Sequence, residues 1–427
     1  MADVRPFRGL RYDRARIDPA LVIAPPYDVI SPRRQAALYD ASLHNVVRVE
    51  YGEQRPGDTP ADNRYTRAAR DLAAWRDAGV LLREARPALY AYRQEFGWEG
   101  TRYARHAVFA AVRLEEWEKG IVKPHEHTLS GPKADRLELL RATRTQVSPV
   151  YCLYRPRAEA PPPHLAGELL YDFDADGQRH VVSAIADQAQ VRAFSGLLAA
   201  SDVYIADGHH RYETAVTYRN EARARAVSWN GDEPENFVLM ALTGVADPGL
   251  LVLPTHRVVH AGVDPGIWAV LARRFDVETL PDGGVSDLLA RLRAAPPDTT
   301  VFAAITRDGA RLLTLRDRAA AEAMMPPGQP DAWRRLDVSV LQYGVLVPAF
   351  AIDDAALAGG SSVTYTQEAA EAAGAVERGD AAIAFLLNAT PVEQVLAVAD
   401  AGGRMPQKST YFYPKLPTGL VMNSLDA

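Results

Sequence analysis

The chain of 427 residues has one cysteine, Cys152, so neither a disulfide framework nor a cysteine-based metal site can form within it. Cys152 lies in the apolar run Val150-Tyr151-Cys152-Leu153-Tyr154, where a small buried hydrophobe is its expected role. No apolar run reaches the length of a membrane span, and the charged stretch Met1 to Arg16 lacks a signal-peptide core. A soluble cytoplasmic protein with no membrane partner is the expectation. Basic residues are not in excess. With 48 Lys and Arg against 54 Asp and Glu, the formal net charge is -6, which argues against general nucleic-acid binding. Neither G-x-G-x-x-G nor G-x-x-x-x-G-K-[ST] occurs, so a standard Rossmann or P-loop nucleotide site has no support. Internal repeats and low-complexity tracts are absent too.

What is present is an ordinary globular composition in a chain too long for one core. The expected division is residues 1–260, an α+β domain carrying the main motif, and residues 261–427, a second α+β domain whose final segment can return to the site. Ser31-Pro32 reads as an N-cap with proline at the first helical position, opening a helix to about Asp40. Val46 to Tyr51 reads as a short strand. The stripe Tyr65, Ala68, Leu72 and Trp75, closed by Gly79, predicts a helix over 60–78. Segments 88–96 and 106–114 suggest an antiparallel pair. A helix over 135–145 and a strand over 149–154 follow. Residues 169–185 read as a hairpin turning at Asp174-Ala175-Asp176-Gly177. The pattern then gives a helix over 187–200, a strand at 203–205, a helix over 210–226 and a strand at 237–243. Near the end, a strand at 381–387 precedes Thr390-Pro391-Val392-Glu393, which has the form of a capping box. Met405 to Leu420 should be extended. Strands and helices are intermingled, so the class is α+β, with mixed and antiparallel sheets and surrounding helices.

Seven of the ten histidines fall in four short stretches: His106, His125 with His127, His209 with His210, and His256 with His260. The most telling is Asp207-Gly208-His209-His210-Arg211, where an apolar strand runs into Asp-Gly and a helix opens. A helix start offers backbone N–H groups and a positive dipole end. Gly208 admits close approach of a ligand, Arg211 can fork onto a phosphate, and the histidines can donate hydrogen bonds; together they suit an anion. A second stretch, Lys123-Pro124-His125-Glu126-His127, continues to Lys133 and Arg136. In a strand, His125 and His127 would share a face. Glu126 suits a general base or a Mg²⁺ ligand, and a solvated charged loop is the plain alternative. A third is Thr255-His256-Arg257. A candidate without histidine runs from Met405 to Lys415, where Lys408, Ser409 and Thr410 suit phosphate. Ala24-Pro25-Pro26-Tyr27-Asp28 sets a tyrosine and a carboxylate in a stiff turn, with Asp28 either catalytic or a cap for the next helix.

These stretches together resemble one family, the bacterial and archaeal proteins grouped as domain of unknown function 1015. The matching runs are Ala24 to Ile30, Lys123 to Thr128, Ile205 to Tyr212 and Met405 to Thr410, in the family's order. Locally, Asp207 to Ala215 is similar to the phosphate-binding turn of the ParB and sulfiredoxin superfamily, which includes free serine kinases with an Asp-Gly-His form. That resemblance implies a ParB/sulfiredoxin-like element carrying large insertions, with Gly208, His209, His210 and Arg211 on phosphate. Position 209 is histidine where sulfiredoxins have cysteine, so sulfinyl chemistry is not expected. The serine kinases' catalytic glutamate would fall to Glu50 or Glu126.

The favoured function is a small-molecule phosphotransferase using a nucleotide (ATP or ADP) and Mg²⁺, with free serine as the first substrate to test. Glu126, Asp207 and His209 are its candidate catalytic residues. Gly208, His210, Arg211, Lys123, His125, Lys133, Arg136, His256, Arg257, Lys408, Ser409 and Thr410 are candidates for holding phosphate or nucleotide; no residue is assigned to a resident metal. The alternatives are a nucleotide-binding regulator of ParB type and a metal-dependent phosphohydrolase in which His125, His127, His209 and His210 converge. A homodimer is compatible with the sequence.

Overall fold

Runs rich in Val, Ala, Phe and Leu within Thr101–Arg113 and Phe237–Gly244 build the middle of a nine-stranded sheet. The structure is a computed structural model describing residues 1–128, 130–158, 163–264, 266–280, 284–358, 360 and 362–426. Its contacts divide the chain into two units. Unit 1 comprises Met1–Pro124, Thr128–Leu250 and Pro414–Ala427; unit 2 comprises His125–His127 and Leu251–Tyr413.

The unit 1 strands are β1 (Val4–Arg5), β2 (Leu89–Trp98), β3 (Thr101–Arg113), β4 (Val122–Lys123), β5 (Val150–Pro156), β6 (Glu168–Ala175), β7 (Gln178–Ile185), β8 (Ser201–Asp207) and β9 (Phe237–Gly244). Their order is β4-β8-β5-β9-β3-β2-β7-β6, with β1 added on β3. Only the β4–β8 and β9–β5 pairs are parallel, so the sheet is mixed and the α+β class holds. The helices of interest are α1 (Pro32–Ala41), α2 (Val47–Glu50), α3 (Arg64–Asp77), α4 (Ser130–Thr143), α5 (Gln188–Ala199) and α6 (His209–Arg225). Val108, Ala110, Val150, Cys152, Ile205, Tyr212, Met240 and Leu242 lie together in the core. Burying each large apolar side chain there contributes about 1.5–3 kcal/mol.

In unit 2 the strands β10 (His256–Val259), β11 (Phe275–Leu280), β12 (Val301–Thr306), β13 (Gly309–Leu315), β14 (Val363–Thr366) and β15 (Ile383–Leu386) form an antiparallel sheet in the order β11-β13-β12-β15-β10-β14. Leu251–Leu253 pairs with Tyr411–Tyr413 in a separate ribbon. Residues 251–253 and 256–259 pair with strands of unit 2, whose main run begins at Leu251.

Several local expectations hold. Ser31 caps α1 by accepting from the Arg34 amide, and the hairpin turns at Asp176-Gly177. Three do not. Val46–Tyr51 is no strand: Asn45 accepts from the Val47 amide, and Val47–Glu50 closes a helical turn. Local capping overrides the β-branched run here. The capping box at Thr390 does not form, because Thr390 donates to the Ser409 carbonyl and leaves the start of Val392–Asp400 without a side-chain cap. His125 and His127 do not share a face: His125 is buried and His127 exposed, in a segment with only an isolated bridge at Glu126. No helix among the described residues is long and apolar enough to cross a membrane.

Candidate functional site

The Asp207–Arg211 turn sits in unit 1 where β8 ends and α6 begins. Gly208 bridges them at φ 91° and ψ 30°, a left-handed conformation that costs other residues about 1–2 kcal/mol. It offers the helix no side-chain cap. The Arg211 guanidinium lies directly over it: a Cβ at position 208 would meet Arg211 Nε and Nη2 at 2.8 Å. Helix α6 is held from its first turn. Tyr212 exchanges hydrogen bonds with the backbone of Glu115 at 2.8 and 2.9 Å, and its ring stacks on Trp117 at 4.5 Å.

Two carboxylates organise the charge. Asp207 accepts from Arg211 Nη2 at 2.6 Å and from Lys415 Nζ. Burial would raise its pKa, but Lys415 and Arg211 outweigh that and hold it well below the ordinary carboxylate range, with His209 adding to them. The three side chains are only 11–16% exposed, so solvent screens them weakly. Lys415 arrives on the C-terminal tail. Ala24 and Thr418 bridge, and Asn423–Ser424 pairs with Thr145–Gln146.

The second carboxylate is Glu50, at the end of α2 and 1% exposed. It accepts from Ser148 Oγ at 3.0 Å and lies 3.5 Å from Arg136 Nη1. Burial dominates and raises its pKa, against the pull of Arg136, Arg211 and Ser148. Arg136, on α4, donates to the Glu50 carbonyl at 2.7 Å and pairs with Asp135 at 2.5 Å. Its guanidinium lies 4.3 Å from the Tyr27 ring. Burial lifts the Tyr27 hydroxyl to about 12, although Arg211 and Arg136 oppose it. Glu50, Arg136, Ser148, Arg211 and Thr214 line a small cavity of about 50 Å³, room for one or two water molecules. Arg211 also donates to the Pro149 carbonyl, while its Nε is buried without a partner among the described residues. Cys152 is buried as expected, its thiol pushed up by burial.

Unit 1 thus brings together Asp207, Gly208, His209, Arg211 and Arg136, all named from the sequence, and His210 follows in the first turn of α6. Lys133 is on α4 but pairs with Glu213 at 3.0 Å. Lys123 is 3.6 Å from Asp202 and lies over the Tyr204 ring. His125, Glu126, His256, Arg257, Lys408, Ser409 and Thr410 belong to unit 2. There His125 Nε2 lies 3.2 Å from Thr410 Oγ1, Ser409 donates to the Pro406 carbonyl at 2.5 Å, and Lys408 is exposed. Asp28 is exposed, and the cap expected of it is supplied by Ser31. Sequence reasoning missed Lys415, Ser148 and Asp135 as members of the cluster. Lys415 and Asp135 stood inside quoted runs, and Ser148 had no local signal.

No group of three or more His, Cys, Asp or Glu side chains placed to share a metal occurs among the described residues. Both oxygens of Asp207 are engaged by cations, and Glu50 is engaged by Ser148 and Arg136. These carboxylates are therefore poor ligands for a resident Mg²⁺.

A family model described as "Protein of unknown function (DUF1015)" matches residues 4–339. No curated protein matches the chain. Solved structures similar to it include a conserved hypothetical protein from Pyrococcus furiosus, at 15% identity and TM-score 0.37, covering 75% of this chain and 95% of that one. Another is a free serine kinase in complex with AMP, at 12% identity and TM-score 0.38, covering 74% and 92%. A third is C-terminally truncated SbnI from Staphylococcus aureus, at 11% identity and TM-score 0.34, covering 73% and 85%.

Proposed function

This chain belongs to the DUF1015 family of proteins of unknown function, and we propose that its Asp207–Arg211 turn is the phosphate-holding part of a small-molecule phosphotransferase. The observation that carries this reading is Arg211. Its guanidinium lies over a left-handed glycine at an uncapped helix start, and its buried Nε has no acceptor among the described residues. A buried N–H without a partner is costly, and a phosphate oxygen would satisfy it while meeting the positive end of α6. The local resemblance to the phosphate-binding turn of free serine kinases points the same way.

Phosphoryl transfer requires positioned cations and a group to take the acceptor's proton. Arg211, Arg136 and Lys415 supply the charge. Asp207 is held ionised by two cations and is a weak base, so its role is to orient Arg211 and Lys415. Glu50 has a raised pKa and is the better base. In the proposed step, a substrate hydroxyl gives its proton to the Glu50 carboxylate. Its oxygen then bonds to the terminal phosphorus of the nucleotide as the bond to the bridging oxygen breaks, and the shortened nucleotide leaves. A Mg²⁺ ion would arrive with the nucleotide's phosphates, and no step runs through a cation held by the protein.

A thermal-shift screen with ATP, ADP, CTP, pyrophosphate, serine and phosphoserine tests the reading. A ligand at about 100 times its Kd adds roughly 2.7 kcal/mol of stability. At least one nucleotide or pyrophosphate should raise the melting temperature, and Arg211→Ala should remove the rise. A screen in which no phosphate compound shifts melting would sink the proposal. Glu50→Gln should keep nucleotide binding and lose turnover of serine with ATP or ADP. Binding without turnover in the unaltered protein would favour the nucleotide-regulated alternative.

A further inference from the structure

Unit 2 contains a charge that no carboxylate among the described residues balances. Arg257 lies on β10, an interior strand between β15 and β14, and is 4% exposed. Its cross-strand neighbours are Tyr365 and Phe385. Nη1 donates to the Thr255 carbonyl, and the guanidinium lies 5.4 Å from the Tyr365 ring. No carboxylate among the described residues pairs with it. Burial pulls its pKa down to about 10, with only Tyr365 opposing, so it stays charged at neutral pH.

Beside it, Thr255 is 3% exposed and its Oγ1 has no hydrogen-bond partner among the described residues. His256 is buried, its pKa lowered to about 4 by burial and by Arg257, so it adds no second positive charge. A buried guanidinium is ordinarily paired, and a buried hydroxyl is ordinarily hydrogen-bonded. Here, among the described residues, the guanidinium has no carboxylate and the hydroxyl two residues away has no hydrogen-bond partner, and the contact of Nη1 with the Thr255 carbonyl draws them together.

We propose that Arg257 and Thr255 form an anion site in unit 2, and that its ligand is the carboxylate of a small organic acid. Charge balance selects the carboxylate. One cation facing Tyr365 and Phe385 matches one negative charge, whereas a phosphate dianion or a polyphosphate needs more. The planar guanidinium fork matches the two carboxylate oxygens, and the Thr255 hydroxyl can donate to one of them. The inference does not rest on the phosphotransferase reading of unit 1.

The test uses the full chain and sodium acetate as probe, compared with sodium chloride and sodium phosphate at equal ionic strength. Acetate should raise the melting temperature by a few degrees over chloride. Arg257→Met should abolish that rise while melting in chloride no lower than the unaltered protein, because it removes an unbalanced buried charge. Arg257→Lys, which keeps the charge and loses the fork, should weaken acetate binding about tenfold, as should Thr255→Val. Arg211→Ala should leave the acetate response intact, which separates this site from the turn in unit 1. Equal responses to acetate and chloride would overturn the proposal. So would an Arg257→Met protein that keeps the acetate rise, or one that melts well below the unaltered protein in chloride while Thr255→Val retains full acetate binding.

Discussion

The buried carboxylates Asp207 and Glu50 of unit 1 are matched by cations, whereas the buried Arg257 of unit 2 has no carboxylate among the described residues. Asp207 is held by Arg211 and Lys415, and Glu50 by Arg136 and Ser148. Arg257 has a carbonyl and an aromatic ring but no counter-ion among the described residues. Removing one partner of a matched buried pair strands the other in a medium that solvates it poorly. Removing an unmatched charge strands nothing. The two kinds of arginine should therefore respond to substitution in opposite ways, and that contrast separates a preassembled charge network from a lone buried cation.

The largest effect should come from Arg136→Met, which leaves Glu50 buried without its nearest cation. We expect a loss of ~3–5 kcal/mol in urea unfolding. Asp207→Asn should cost ~2–3 kcal/mol at neutral pH, because Lys415 and Arg211 lose their charged acceptor. It should also change the acid limb. Asp207 has a folded pKa below its unfolded value, so its contribution is present above about pH 4 and disappears as pH falls toward the folded value. The unaltered protein should lose stability over that window, and Asp207→Asn should lose less there, measured as unfolding midpoints between pH 5 and pH 2. Gly208→Ala should cost ~1–2 kcal/mol from the left-handed backbone, and should also weaken phosphate binding by displacing Arg211. Arg257→Met should be the smallest change, neutral or mildly stabilising. A loss there as large as that of Arg136→Met would erase the comparison.

The strand–turn–helix around Asp207 was legible because every part of it is local. An apolar strand, a glycine that must be left-handed and a helical stripe follow one another within a few residues. What the turn gathers was less legible. Glu50 stood in a β-branched run that reads as a strand, yet Asn45 caps it into a helical turn, and the Arg136 that pairs with it lies far along the chain. The C-terminal run drew attention to Lys408, Ser409 and Thr410, while the lysine that reaches Asp207 is Lys415, placed by tail contacts with Ala24 and Gln146. Composition at the C-terminus says nothing of those pairings. The unit boundary at Leu250–Leu251 likewise follows from strand partners distant in sequence. The motif at Thr255-His256-Arg257 was visible, but its missing counter-ion was not, because a sequence does not show which carboxylates come near.

The most direct test of the phosphate turn is titration calorimetry of ADP and of pyrophosphate into the unaltered protein and into Arg211→Lys, with folding of both checked by circular dichroism. The lysine keeps the charge and loses the fork over Gly208. The account predicts about one equivalent of phosphate ligand on the unaltered protein and an affinity at least about tenfold weaker for Arg211→Lys. Equal affinities in the two folded proteins, or no binding to either, would contradict it.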